Sequence, residues 1–296
     1  MPLHVPVLAD EVVEWLAPQP GQPIVDGTVG GGGHARLLAE RVGRTGQLIG
    51  LDRDPAALAG AEQVLAGLPV LLVHSNYCEL PEVLRQLNIP AVDGVLLDLG
   101  LSSDQLADTS RGFGFTAGGP LDLRFNPEEG EPARRLVNRL SAEHLADLIY
   151  SLGEERYSRR IARKIVERRK QKPIETAEDL AELVRGCVPR SRGGEHIDPA
   201  TRTFQALRIA VNDELGSLET ALRRIPDCLR PGGRLAVISF HSLEDRRVKE
   251  VFRDDPRYET LTKKPIRGSE DEIRRNPRAR SAKLRVAARS GISQSF

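Results

Sequence analysis

Along the first hundred residues, short apolar runs that end in an acid or a histidine alternate with stretches of helical period. The runs are Ile24-Val25-Asp26, Leu48-Ile49-Gly50-Leu51-Asp52, Val70-Leu71-Leu72-Val73-His74 and Val92-Asp93-Gly94-Val95-Leu96-Leu97-Asp98. Each is short enough to be a buried strand, and Ala9 to Leu16 and Ala56 to Leu65 show the three-to-four spacing of amphipathic helices. Trp15 reads as a core residue of the first helix. Strands alternating with helices at this spacing predict an α/β fold with a parallel, doubly wound sheet.

Beyond Asp98 the rhythm breaks. Ser102 to Asn126 is polar and glycine-rich with no period, and Pro132 to Lys172 reads as consecutive helices with Tyr157, Ile161 and Ile165 on one apolar stripe. Thr176-Ala177-Glu178-Asp179 has the form of a capping box opening another helix, and Arg190 to Gly194 reads as a basic linker. Asp198-Pro199 then opens a long helix whose apolar face carries Phe204, Leu207, Ile209, Val211, Leu215 and Leu218. Pro231-Gly232-Gly233 turns into a fifth strand, Arg234 to Phe240, and Ser242 suits the N-cap of the helix that follows. Tyr258 to Lys264 and Lys283 to Arg289 form a closing strand pair. The expected organisation is a discontinuous sheet domain, residues 1–110 and 198–296, with a mostly helical insert at 111–197.

The chemistry gathers where the first run ends, at Asp26-Gly27-Thr28-Val29-Gly30-Gly31-Gly32-Gly33-His34. A strand, a turn without side chains and a helix N-terminus make a cradle for a small charged ligand. Asp52, at the tip of the second strand, is placed to accept hydrogen bonds from ribose hydroxyls. A nicotinamide dinucleotide and S-adenosylmethionine both suit such a unit. Asp26 favours the second, because a carboxylate at the strand end repels a pyrophosphate and attracts an ammonium. Tyr77 follows the third strand and is placed either near an adenine or as a capping aromatic at the sheet edge. Asp98 ends the fourth strand beside the glycine turn, where the strand order switches and substrate meets cofactor.

Composition narrows the picture. The chain has 296 residues, 40% hydrophobic and 29% charged, as in ordinary globular proteins, with ample length for a core. A net charge of +1 means that nucleic-acid affinity must come from clustered charge, and 4% aromatic content excludes a protein built mainly of base-stacking platforms. Cys78, Cys187 and Cys228 form neither a disulfide framework nor a zinc pattern, so no metal and a reducing cytoplasm are expected. No apolar run is long enough to cross a membrane. Clustered charge does occur. Arg160, Arg163, Lys164 and Arg168 surround the Ile161 stripe, either as a solvated charged face or, with few acids between them, as a nucleic-acid surface, and Arg274 to Arg280 is a basic loop and a second candidate phosphate contact. Arg111, Phe113, Phe115 and Arg124, spaced among glycines, suit a loop that stacks on a base and contacts phosphate. His241 reads equally as a turn residue or a substrate contact.

Several blocks resemble the bacterial 16S rRNA cytosine-N4 methyltransferase family (RsmH/MraW). They are Asp26 to His34, Leu96-Leu97-Asp98-Leu99-Gly100-Leu101-Ser102-Ser103, Arg111-Gly112-Phe113, Gly119-Pro120-Leu121-Asp122, Gly153-Glu154-Glu155-Arg156, Pro199 to Arg208, Ile238 to Arg246 and Asn276 to Ser281. The likeness runs nearly end to end in the same order. It implies a Rossmann-like class I methyltransferase sheet and S-adenosylmethionine-dependent methylation of the N4 amine of cytidine 1402 in 16S rRNA. By position, Gly32, Gly33, His34, Asp52, Tyr77, Asp98 and Gln105 match the family's cofactor contacts. Asp104, Ala107, Gly114 and Leu123 to Asn126 depart from the family pattern. Asp98 is the first candidate to polarise the target amine and Asp122 the second. The expected partner is 16S rRNA within the small ribosomal subunit, with no membrane and no metal, and a homodimer is left open. The alternatives are a nicotinamide-dependent oxidoreductase and a non-catalytic RNA-binding assembly protein.

Overall fold

In the computed structural model, which describes residues 6–114, 118–189 and 198–291, the apolar runs become the strands of one sheet. Helix α1 (Ala9–Leu16) precedes strand β1 (Pro23–Asp26). There follow α2 (Gly33–Val42), β2 (Gln47–Asp52), α3 (Pro55–Val64), β3 (Val70–His74), α4 (Leu80–Gln86) and β4 (Val92–Asp98). The chain then builds α5 (Ser103–Ala107), α6 (Ala133–Arg139), α7 (Ala142–Gly153), α8 (Ser158–Arg169), α9 (Ala177–Cys187) and α10 (Thr201–Asn212). It closes with α11 (Glu214–Cys228), β5 (Leu229–Ser239), α12 (Ser242–Asp254), β6 (Tyr258–Thr260), α13 (Glu270–Arg275) and β7 (Lys283–Arg289).

The chain divides into two compact units, residues 1–102 with 215–296, and residues 103–214. The first holds a seven-stranded sheet in the order β3-β2-β1-β4-β5-β7-β6. The strands from β3 to β5 are parallel, and β7 runs antiparallel to both β5 and β6. This is a doubly wound, Rossmann-like sheet with an antiparallel edge. Alternation along each strand feeds two apolar layers. Val25, Ile49, Val95, Leu97 and Val237 join α4, α11 and α12 in one, while Ile24, Leu48, Leu96 and Ile238 join α1 and α2 in the other. Burial on both faces explains why these strands read as unbroken apolar runs. Each buried leucine or isoleucine contributes roughly 1.5–3 kcal/mol.

The second unit is helical. Leu145 and Ile149 of α7, Ile161 and Ile165 of α8, and Leu180 and Val184 of α9 are buried in it. Thr176 accepts from the Asp179 amide at 3.1 Å, the cap expected from the sequence.

Three expectations about element bounds need correction. The long helix from Asp198 is two helices, α10 and α11, broken at Asp213, whose φ of +48° ends the first. Asn212 explains the stop. Its Nδ2 donates to the Leu123 carbonyl at 2.7 Å and its Oδ1 accepts from the Phe125 amide at 2.8 Å, so α10 is tied into the helical unit. The chain divides into its compact units at Ser102–Ser103 and Glu214–Leu215, against the bounds of 110 and 198 expected from the sequence. The third correction is to the strands. β5 begins at Leu229 and carries Pro231-Gly232-Gly233 as an irregularity in its pairing with β4, and β6 stops at Thr260. The linker at Arg190 to Gly194 lies outside the described residues. Trp15 is half-buried against the second apolar layer.

Candidate active site

The order β2-β1-β4 places the switch point of the sheet between β1 and β4, and the carboxyl ends of these strands carry Asp52, Asp26 and Asp98. Ligands bind at such a point because the helix connections diverge there and leave a crevice. The glycine turn between β1 and α2 is shaped by close packing. A Cβ on Gly27 would lie 2.6 Å from Leu97 Cδ2 and 3.0 Å from Tyr77 Cβ, so only glycine fits, and Tyr77 sits directly against the turn. Gly32 caps α2 with φ +83°, a conformation that favours glycine, and Gly33 and His34 form the first turn of the helix.

Asp26 is buried. Its Oδ1 accepts from the Thr28 amide at 3.1 Å, and its Oδ2 has no hydrogen-bond partner among the described residues. Asp98 is held through its backbone, whose N–H donates to Thr28 Oγ1 at 2.7 Å. Its side-chain Oδ2 lies 3.6 Å from His34 Nε2, and Oδ1 is buried without a hydrogen-bond partner. Asp52 faces the same turn, its Oδ2 accepting from the Gly30 amide at 2.8 Å and its Oδ1 from the Asp54 amide at 2.9 Å. Thr28 thus ties the tips of β1 and β4, and Asp52 ties β2 to the glycines. The ribose role expected of Asp52 is joined by this structural one.

Burial pushes the Asp26 carboxyl up to about 7, with the Asp98 and Asp52 charges adding to it against the Thr28 amide. Burial likewise raises Asp98 to about 7, opposed by Arg278 and reinforced by Glu244. Asp52 rises to about 6, burial outweighing the backbone donors of Asp54, Gly30 and Arg53. Three acids sharing one crevice, two with an unpartnered buried oxygen, are best relieved by a cation. At an effective dielectric near 20, each opposite charge about 4 Å away is worth ~4 kcal/mol, and a pyrophosphate costs as much. A sulfonium and an ammonium fit this donor set. A dinucleotide does not.

The end of β5 adds a second group. The sequence suggested Ser242 as N-cap of α12, but His241 takes that place. His241 Nδ1 accepts from the Glu244 amide at 3.4 Å, while Glu244 Oε2 accepts from the Phe240 and His241 amides at 2.9 and 3.3 Å. The buried Glu244 makes the reciprocal half of a capping box, so the signal was the acid three positions after His241 rather than the residue type at the cap. His241 is accordingly a turn residue in this arrangement. In the basic loop, Arg278 does not face outward for phosphate. Its guanidinium lies 5.5 Å from the Phe240 ring centroid, and Nη2 donates to the Leu101 carbonyl.

The remaining expected residues lie in the helical unit. Gln105 is buried on α5. Arg111 donates to Asp108 at 2.8 Å and to the Phe125 carbonyl at 3.1 Å. Phe113 is only 4% exposed and stacks on Phe125 with ring centroids 5.8 Å apart, so its ring is part of the core and offers no open face to a base. Asp122 accepts from Arg124 Nε at 2.7 Å and from Nη2 at 2.8 Å. Burial would raise its carboxyl, yet the Arg124 bonds hold it below the usual range. That pairing occupies both residues, so of the two acids expected to polarise the amine it is Asp98 that keeps an open acceptor. Phe115 lies outside the described residues. Among the described residues no cluster of three or more His, Cys, Asp or Glu could hold a metal, and no helix is long and apolar enough to cross a membrane.

A Rossmann-like sheet with an acidic, cation-seeking crevice at its switch point defines the class: an S-adenosylmethionine-dependent methyltransferase. A model of the MraW methylase family matches residues 1–290. Over 297 residues the chain is 52% identical to the ribosomal RNA small subunit methyltransferase H of Rhodopirellula baltica, covering 97% of this chain and 91% of that protein. The protein of the same name from Deinococcus radiodurans is 53% identical over 292 residues, with 98% and 91% covered. The chain belongs to the MraW methylase family. The oxidoreductase and non-catalytic alternatives are thereby set aside.

Proposed function

We propose that this enzyme methylates the N4 amine of cytidine 1402 in 16S rRNA, in the cytoplasm and on RNA carried by the small ribosomal subunit. Its coarser activity, S-adenosylmethionine-dependent methylation of small-subunit ribosomal RNA, follows from its family and from relatives about half identical over nearly the whole chain. The observation that carries the finer reading is Asp98 Oδ1, a buried acceptor without a donor of its own among the described residues. An exocyclic amine supplies an N–H to such an oxygen, whereas the unprotonated ring nitrogen and the carbonyl of the same cytosine do not.

The N4 lone pair is delocalised into the ring, so the amine is a weak nucleophile. Bound S-adenosylmethionine supplies an activated methyl. Asp98 accepts one N–H of the amine and concentrates electron density on nitrogen, while Thr28 fixes the backbone that carries it. Asp26 would hold the positive end of the cofactor and Asp52 its ribose, with Gly32, Gly33 and His34 lining the turn and Tyr77 packed against it. Gln105 is proposed as a further cofactor contact. The target base must leave its stack to be reached. The positive face of α8, with Arg160, Arg163, Lys164 and Arg168, contacts backbone phosphate.

Mass spectrometry of 16S rRNA from a deletion strain tests this. One N4-methyl on that cytidine disappears, returns with the wild-type gene and stays absent with Asp98→Ala. Persistence of the methyl in the deletion strain overturns the assignment.

A further inference from the structure

We propose that Arg278 is a positioning residue for methyl transfer: it anchors the chain leaving β4 and places a fixed positive charge near the Asp98 carboxyl. The inference rests on the reading that Asp98 acts in its anionic form. Two independent contacts fix Arg278. Its guanidinium lies over Phe240 at the end of β5, and it donates to the Leu101 carbonyl, three residues past Asp98. The segment Asp98 to Leu101 is therefore held at one end by Thr28 and at the other by Arg278. Gly100, at φ +91°, packs against the same Phe240 ring, since a Cβ there would lie 3.4 Å from Phe240 Cδ2.

The charges around Asp98 come from four elements. Asp26 of β1 and Glu244 of α12 oppose its ionisation, and His34 of α2 lies 3.6 Å away. Glu244 is itself bound to His241 and the backbone. Arg278, from the turn Pro277–Arg280, is the arginine whose charge favours the Asp98 carboxylate, and Asp98 in turn favours the charge on Arg278 against its own burial. Among other acids, a nearby fixed cation shifts a carboxyl towards its ionised form. An arginine serves because it does not deprotonate, and its planar fork can bond a carbonyl while stacking on a ring.

The test separates charge from anchoring. Arg278→Gln keeps a donor for the Leu101 carbonyl but loses the charge, whereas Arg278→Lys keeps the charge and loses the fork. S-adenosylmethionine affinity is measured by calorimetry, and kcat on small subunits by methyl incorporation, at pH values from 6 to 9. Removing one neighbouring cation moves the acidic limb up by about one pH unit. Arg278→Gln therefore loses roughly five-fold in both readouts at pH 7 and recovers to near wild type at pH 9, while Arg278→Lys keeps the wild-type limb. A pH-independent loss in Arg278→Gln, an equal shift in Arg278→Lys, or failure of Arg278→Gln to fold overturns the proposal. Full activity of Asp98→Ala instead overturns the underlying reading of Asp98, so the two failures are distinct.

Discussion

At pH 8, Asp26→Asn is expected to make the ligand-free protein more stable while weakening its hold on the cofactor. The Asp26 carboxyl is 1% exposed, one oxygen lacks a partner, and burial lifts it from an ordinary 3.8 to about 7. Between those two values the native state holds a proton that the unfolded chain has released. Stability from this group is thus full below about pH 4, falls as pH rises through the window, and is lost above about 7. At about 1.4 kcal/mol per pH unit, the whole window is worth at most ~4 kcal/mol. Asparagine has no charge to desolvate, but its amide needs an acceptor, at a cost of about 1–3 kcal/mol. That cost is the same at every pH. The gain of the variant over wild type should therefore be larger at pH 8 than at pH 5 by about 2–3 kcal/mol. Thermal denaturation of the ligand-free protein at both pH values reads this as a relative rise in Tm of roughly 5–10 °C. Calorimetry in parallel should show S-adenosylmethionine affinity falling by at least about ten-fold, since each 1.4 kcal/mol lost is a factor of ten. Equal destabilisation at pH 5 and pH 8 would refute the reasoning, because it would mean that Asp26 is already ionised and paired in the free protein.

Two further outcomes follow from packing. Gly27→Ala drives a methyl into Leu97 and Tyr77, costing about 1–3 kcal/mol and displacing Tyr77 from the turn. Its Tm and its cofactor affinity should fall together, and a variant matching wild type in both would show that the turn has slack. Phe113→Ala removes a buried, stacked ring from the helical unit and should cost about 3–5 kcal/mol, read by urea denaturation. Unchanged stability with a raised KM for the ribosomal subunit would instead restore the base-stacking role that its sequence context suggested.

The local periods of the chain determined most of the architecture. Four apolar runs ending in Asp or His, with helices between them, specify a parallel sheet, because burial on both faces leaves no polar alternation to read otherwise. The acid at each strand end was equally legible, since the carboxyl tips of such strands always meet at the crevice. The cap at Thr176 could also be read locally.

Tertiary structure alone decided what those acids experience. Asp98 and Thr28 are 70 positions apart, and Arg278 and Leu101 are 177. No period links such pairs; only the order of strands brings them together. The same holds for the basic and aromatic residues that sequence assigned to RNA. Arg278 turned inward onto Phe240, Phe113 stacked on Phe125, and Asp122 closed on Arg124. Residue type states what a side chain can bond to, but the choice between solvent, substrate and a neighbouring side chain is made by packing, which long-range contacts determine. The break at Asp213 has the same origin. Apolar spacing continues from Phe204 to Leu218, and only the bonds from Asn212 to a loop nearly ninety positions away end the first helix there.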